Sequence, residues 1–223
     1  MHHLETADGS FTYRSPIFKE TFHSKYGALS ESQHVFIIAG LRAIAKETVV
    51  RPIQIFEMGL GSGLNALLTA QYASKFATPI FFHSVEAYPI PIEDIDGFKV
   101  DNLFDSPSLL PQFQLLHQGE WAKPIKINSH FSFLKDQVDF VKWSAPRQRY
   151  HCIYYDAFAP RAQSELWTET VMAKLYKMLK PKGILVTYCA QGQFKRNLKS
   201  VGFTVEALPG PKGKREMTRA RKA

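Results

Sequence analysis

The sequence predicts an α/β fold built on an open, mostly parallel sheet with helices on both faces, and three observations support it. From residue 51 onward, short apolar runs alternate with stretches of helical periodicity, the order that builds a parallel sheet from strand–helix–strand units. The first apolar run meets the first helical stretch through three glycines spaced by two, Gly59, Gly61 and Gly63. Acids stand at the ends of apolar runs, at Glu57, Glu86 and Asp156, and ligands of open α/β sheets bind at strand ends.

A chain of 223 residues suits one sizeable domain that buries a core without staples. Its 45% hydrophobic and 22% charged residues are those of a soluble globular protein. No apolar segment approaches a membrane span, and residues 1–10 lack a signal-peptide core, so no membrane partner and a cytoplasmic location are expected. Cys152 and Cys189, each inside an apolar run, read as reduced core residues. The eight histidines show no paired ligand spacing beyond His2-His3, and no metal is expected.

Taken in order, residues 11–28 read as a β-hairpin arm carrying Phe11, Tyr13, Ile17, Phe18 and Phe22. Ser30 and Gln33 form a capping-box pair ahead of a helix with an apolar face of Val35, Phe36, Leu41 and Ile44. Residues 1–50 are therefore expected as an arm and helix packed on the core, with 51–223 as the main domain. Residues 53–56 form a buried strand and 64–77 the following helix. A second strand, 79–85, ends at Glu86, 25 residues after Gly61. The proline- and aromatic-rich stretch at about 88–130 reads as an insertion near the site. Asp136 follows a third apolar stretch, and 152–155 form a fourth strand that delivers Asp156. A helix over 164–179 carries Trp167, Val171, Leu175 and Leu179 on one face, with Trp167 read as core, and Pro181 and Gly183 end it. Strand 184–188, helix 193–201 and strand 203–207 complete the alternation.

The glycines allow backbone to turn sharply and approach a ligand closely, and the amides at the helix start offer donors. A dinucleotide fingerprint places its third glycine three residues after the second, where this chain has Leu64. Glu57 would repel a pyrophosphate and suits a ligand with an ammonium. Glu86 can accept two hydrogen bonds from a ribose cis-diol, or simply face water. Asp136 is placed for an adenine amino group, or for a helix cap. Residues 210–223 hold Lys212, Lys214, Arg215, Arg219, Arg221 and Lys222 against Glu216 alone, so a tail that also includes a final strand carries most of the net charge of +8. Lys195, Arg196 and Lys199 lie just upstream. Such clustering suits a polyanion, nucleic acid being the commonest, or else a solvated terminus.

Four blocks give the chain its resemblance: Glu57-x-Gly59-x-Gly61-Ser62-Gly63-Leu64-Asn65; Ser84-Val85-Glu86-Ala87-Tyr88-Pro89; Asp156-Ala157-Phe158-Ala159-Pro160 with Trp167-Thr168; and Gly202-Phe203-Thr204 with Gly213-Lys214-Arg215-Glu216-Met217. With these it resembles the tRNA 5-aminomethyluridine methyltransferase family, the methyltransferase half of the bifunctional enzyme MnmC, and the last two blocks are the family-specific ones. The resemblance implies a Rossmann-like class I methyltransferase with a seven-stranded sheet, and S-adenosylmethionine as methyl donor to the aminomethyl nitrogen of a wobble uridine in the tRNA anticodon loop. By matched position, Glu57, Gly59, Gly61, Gly63, Asn65 and Glu86 would line the cofactor, with Asp136 at its adenine. Asp156 would be catalytic, orienting the amine and receiving its proton or anchoring it. Phe158 would stack on the base, or else pack beneath its own loop, and Lys214 and Arg215 would meet RNA.

The chain departs from the family at Lys135, where a glycine often precedes the adenine-side acid. The bifunctional relatives continue into a flavin-dependent oxidase while this chain ends at Ala223, so no flavin is expected and the aminomethyl group is expected from another route or another protein. Two other readings remain on the same fold. A small-molecule amine methyltransferase or aminopropyltransferase-like enzyme gains nothing from the basic tail, and a non-catalytic RNA-binding protein has no need of Glu57, Glu86 and Asp156.

Overall fold

The structure is a computed structural model and describes residues 3–22, 24, 26–95 and 109–223; the part of the expected insertion at 96–108 lies outside the described residues. An antiparallel hairpin, β1 (His3–Glu5) and β2 (Phe11–Tyr13), precedes a long helix, α1, which runs through Ala28–Ser32, a π-helical stretch Gln33–Arg42, and Ala43–Glu47. Eight further strands follow: β3 (Ile53–Met58), β4 (Ile80–Glu86), β5 (Ile125–Asn128), β6 (Phe131–Gln137), β7 (Tyr150–Tyr155), β8 (Leu179–Thr187), β9 (Thr204–Pro209) and β10 (Glu216–Arg221). Between them lie α2 (Leu64–Lys75), α3 (Ile92–Ile95), α4 (Leu109–Gln118), α5 (Glu169–Met178) and α6 (Gly192–Ser200).

The eight strands form one sheet in the order β5-β6-β4-β3-β7-β8-β10-β9. Strands β6, β4, β3, β7 and β8 run parallel, and β10 pairs antiparallel with both β8 and β9. The expected α/β class holds, with an eighth strand, β5, contributed antiparallel at the edge by the segment read as an insertion. All six residues of β7 are buried, as a central strand covered on both faces requires. Ile53, Ile55, Phe82 and Tyr154 pack beneath α1, α2 and α4, while Phe56, Tyr150 and Tyr155 pack beneath α5 and α6.

Three local expectations are corrected by tertiary contacts. Helix α1 starts at Ala28 rather than at a Ser30 cap, because its first amides bond the hairpin loop: Ala28 and Leu29 donate to Ser10 Oγ, and Ser30 donates to Asp8 Oδ2. Burial raises the Asp8 carboxyl, but hydrogen bonds from Ser10, Ser30 and Thr6 together hold it down at about 2. The helix expected over 164–179 is shorter. Trp167 closes a 3-10 turn, Ser164–Trp167, the Thr168 hydroxyl accepts from the Val171 amide to start α5, and β8 begins at Leu179, with a register shift against Tyr150 and Cys152 where Pro181 interrupts the ladder. The basic terminus is mostly not free charge. Arg219 pairs with Glu206 at 2.6 Å, Arg221 with Glu47 at 2.6 Å, and Lys222 Nζ donates to the carbonyls of Tyr176 and Leu179. Lys212 and Arg215 stay exposed.

Candidate functional site

A cavity of about 1150 Å³ opens at the C-terminal ends of β3, β4, β6 and β7. Met58, Gly59, Leu60 and Gly61 form one wall, and Glu86 to Tyr88 the next. Gly59 has φ +89°, and a Cβ there would stand 2.9 Å from the Asp156 carbonyl oxygen, so only glycine lets β3 and β7 close on each other at their tips. Gly63, also left-handed, precedes α2, and its missing side chain makes room for His117. The Gly61 amide donates to Glu86 Oε2 at 3.1 Å and the Tyr88 amide to Glu86 Oε1 at 2.9 Å. Each carboxylate oxygen keeps a lone pair for a ligand hydroxyl.

Asp156 forms part of the floor. Its carboxyl is pushed up to about 7 by burial and by the Glu31 charge, against the Asn65 hydrogen bond and Lys214, which lower it. Lys214 Nζ pairs with Glu31 Oε1 at 2.5 Å and sits 4.1 Å from the centre of the Tyr188 ring, so a cation already occupies the aromatic wall beside Asp156. The Tyr188 hydroxyl donates to the Ala157 carbonyl at 2.8 Å. The loop after Asp156 is held from both sides: the Phe158 amide donates to Gln163 Oε1, and Trp167 Nε1 donates to the Phe158 carbonyl. Trp167 is therefore core, as read, and also a strut for this loop.

The N-terminal arm roofs the cavity. Phe18 and Phe22 pack tilted against Phe158 with ring centres 4.9 and 5.2 Å apart, and Arg161 pairs with Glu20 through two hydrogen bonds. On the opposite side, Lys174 of α5 donates to the carbonyls of Phe140, Val141 and Trp143, fixing the loop whose Asp139, Phe140 and Val141 face the cavity.

Residues 117–223 match the model of a family described as S-adenosyl-L-methionine-dependent methyltransferase. The matched stretch is just under half of the chain. The chain is 29% identical over 92% of its length to the tRNA 5-methylaminomethyl-2-thiouridine biosynthesis bifunctional protein MnmC of Burkholderia mallei (strain SAVP1), and equally to that of Burkholderia pseudomallei (strain 668). It spans about a third (33%) of the length of these relatives. The crystal structure of MNMC2 from Aquifex aeolicus has the same fold, with a TM-score of 0.74 at 21% identity, covering 98% of this chain and 69% of that one.

Of the residues read from the sequence, the structure brings Gly59, Gly61, Glu86, Asp156, Phe158 and Lys214 to the cavity. Glu57, Gly63 and Asn65 lie behind its wall, Glu57 fully buried and Asn65 3% exposed. Asp136 turns away: its Oδ2 meets His83 Nε2 at 2.9 Å, and His83 Nδ1 meets the Tyr150 hydroxyl at 2.6 Å. Its strand neighbours Gln137 and, beyond the strand, Asp139 line the cavity instead. Burial lowers the His83 pKa despite Asp136, so the ring is a neutral link between β4, β6 and β7. Lys135, the departure from the family, is buried and caps α4 by donating to the carbonyls of Leu116 and His117; burial brings it down to about 8. Arg215 does not reach the cavity.

Glu31, Tyr188 and Lys174 were not found from the sequence. Glu31 sits in the first turn of α1, where an acid reads as a dipole partner, and nothing local tells that the helix end abuts Asp156. Among the described residues, no group of three or more His, Cys, Asp or Glu is placed to hold a metal, and no helix is long and apolar enough to cross a membrane.

Proposed function

We propose that the chain N-methylates the 5-aminomethyl group of a wobble uridine in tRNA, in the cytoplasm, with the aminomethyl group made by a separate enzyme. The observation that carries this reading is Asp156, a carboxyl held near neutrality at the floor of a cavity, opposite the glycine turn, with a cation site beside it. S-adenosylmethionine, when bound, supplies an electrophilic methyl group. The glycine wall at Gly59 and Gly61 and the two acceptors of Glu86 suit its nucleoside, and Phe140, Val141 and Asp139 suit its base.

An amine must present a lone pair to be methylated, and an aminomethyl group titrating like lysine, near 10.4, is an ammonium at neutral pH. Freeing it costs about 3 pH units, or ~4 kcal/mol. Asp156 receives the ammonium as a carboxylate, aligns it and takes its proton, then passes that proton to water. Lys214 holds the ammonium position next to Glu31 and Tyr188 until the acceptor arrives. Phe158 offers a ring for the uracil drawn out of the anticodon loop, beside Phe18 and Phe22. Lys212 and Arg215, exposed near the cavity mouth, meet RNA phosphates.

The test is incubation with labelled S-adenosylmethionine and tRNA carrying or lacking the aminomethyl group, followed by nucleoside analysis. Label in the N-methylated nucleoside from the aminomethylated tRNA alone is expected. Equal labelling of both tRNAs refutes the assignment of the acceptor.

A further inference from the structure

A continuous polar chain, Ser84–Glu57–Asn65–Asp156, runs behind the cavity wall. The parallel register of β3 and β4 sets Glu57 opposite Ser84, and Ser84 Oγ donates to Glu57 Oε2 at 2.7 Å. At the other end Asn65 Nδ2 donates to Asp156 Oδ2 at 2.8 Å. The Asn65 side chain lies beside the Glu57 carboxyl, and each keeps one buried oxygen, Glu57 Oε1 and Asn65 Oδ1, that no donor among the described residues reaches. Each buried acceptor left without a donor costs about 1–3 kcal/mol, and a fully buried unpaired carboxylate costs more.

One proton resolves both. We propose that Glu57 is a neutral acid whose Oε1–H donates to Asn65, a positioning residue that holds the Asn65 amide with Nδ2 toward Asp156. With the amide reversed, Asn65 Oδ1 would face Asp156, and Asp156 itself would have to carry the proton. It would then have no charge to offer an ammonium. The chain therefore holds a single proton, and its residence on Glu57 is what leaves Asp156 a carboxylate. Burial is the largest force raising Glu57, with the Asp156 and Glu86 charges acting in the same direction. The groups that face Asp156 are Glu31 from α1, Lys214 from the loop before β10, Tyr188 beyond β8, and Glu57 from β3. A neutral Glu57 removes one anion from this set. It also means that Glu57 offers the cofactor ammonium no charge, unlike the role the sequence suggests for it.

The inference rests on the proposed function only for what Asp156 does to the acceptor, so two of its three tests use no acceptor. Infrared spectra at about pH 8 should show a buried carboxylic-acid band in the wild-type protein that disappears in Glu57→Gln, whose amide can donate to Asn65 and accept from Ser84. Titration of S-adenosylmethionine should give Glu57→Gln a Kd within about threefold of wild type. Absence of the band, or a loss of cofactor affinity of tenfold or more in Glu57→Gln, overturns the proposal. Asn65→Leu removes the donor to Asp156, so the acidic limb of its kcat/KM profile should move up by about half a pH unit or more; an unmoved limb overturns the coupling. Failure of the wild-type enzyme to methylate any tRNA would count against the acceptor and leave the first two results standing.

Discussion

Replacing Asp156 with asparagine removes the charge and the proton acceptor while keeping the shape, and an asparagine oxygen can still accept from Asn65. The amine lies about 3 pH units above neutrality, which amounts to ~4 kcal/mol, and general-base assistance is typically worth 10²–10⁴ in rate. We expect kcat to fall about 10³-fold, with the Kd for S-adenosylmethionine within about threefold of wild type, because the glycine turn and Glu86 are untouched. The pH dependence gives a second readout. A carboxyl raised to about 7 is protonated below that pH and charged above it, so wild-type log kcat/KM should climb through the acid range and level off near pH 7. Asp156→Asn should lose that limb. Stability should move the other way: the raised carboxyl favours the folded state at low pH, and this advantage is lost as pH rises from the unfolded value through about 7, so Asp156→Asn should melt higher than wild type at pH 8 and equally at pH 4. The assay is transfer of labelled methyl to aminomethylated tRNA across a pH series. Near-wild-type turnover, or a limb near pH 7 that survives in the variant, would refute the role of Asp156.

Glu31→Gln removes the anion that raises Asp156 and should shift the acidic limb of kcat/KM downward, while Lys214→Met removes a cation that lowers it and should shift the limb upward; two shifts of the same sign would contradict the arrangement. Lys174→Met leaves three carbonyls of the 140–143 loop without their donor and should weaken S-adenosylmethionine binding about tenfold by calorimetry, with a smaller effect on kcat. The double variant Lys212→Glu and Arg215→Glu should weaken tRNA binding and flatten its salt dependence by about one phosphate contact per residue, whereas Arg219→Glu, which breaks the pair with Glu206, should chiefly lower the melting temperature. Filter binding over a salt series and thermal melts separate the two.

The strands and the glycine turn were legible because their signals are local: apolar runs of strand length, and glycines such as Gly59, where an added Cβ would stand 2.9 Å from a neighbouring carbonyl oxygen. The ends of elements were less so. Ser30 carries every local sign of a helix cap, yet Asp8 and Ser10 from the hairpin supply the acceptors, and α1 starts earlier. Asp136 and Gln137 are equally polar at the end of β6, and only the pleat decides which faces the cavity; His83, one strand over, takes Asp136. The terminal charge run looked free because sequence distance hides its partners: Glu47 lies 174 positions from Arg221, and Glu31 183 from Lys214.

The same long-range pairing bears on selectivity for the acceptor. The side proposed for the cofactor is built from the tips of β3 and β4, parallel neighbours in one sheet. The acceptor side is composite. Asp156 comes from β7, Glu31 from α1, Lys214 from the loop before β10, and Phe18 and Phe22 from the arm, joined through Phe158 and the Arg161–Glu20 pair. With Asp156 ionised, two carboxylates and one ammonium there leave a net negative site that an incoming cation satisfies and a phosphate does not. Because Lys214 is tethered to Glu31 only through an ion pair 32% exposed on the lysine side, a substrate ammonium can replace it without leaving either carboxylate unpaired. A neutral acceptor cannot make that exchange, and it therefore meets a site whose lysine stays in place.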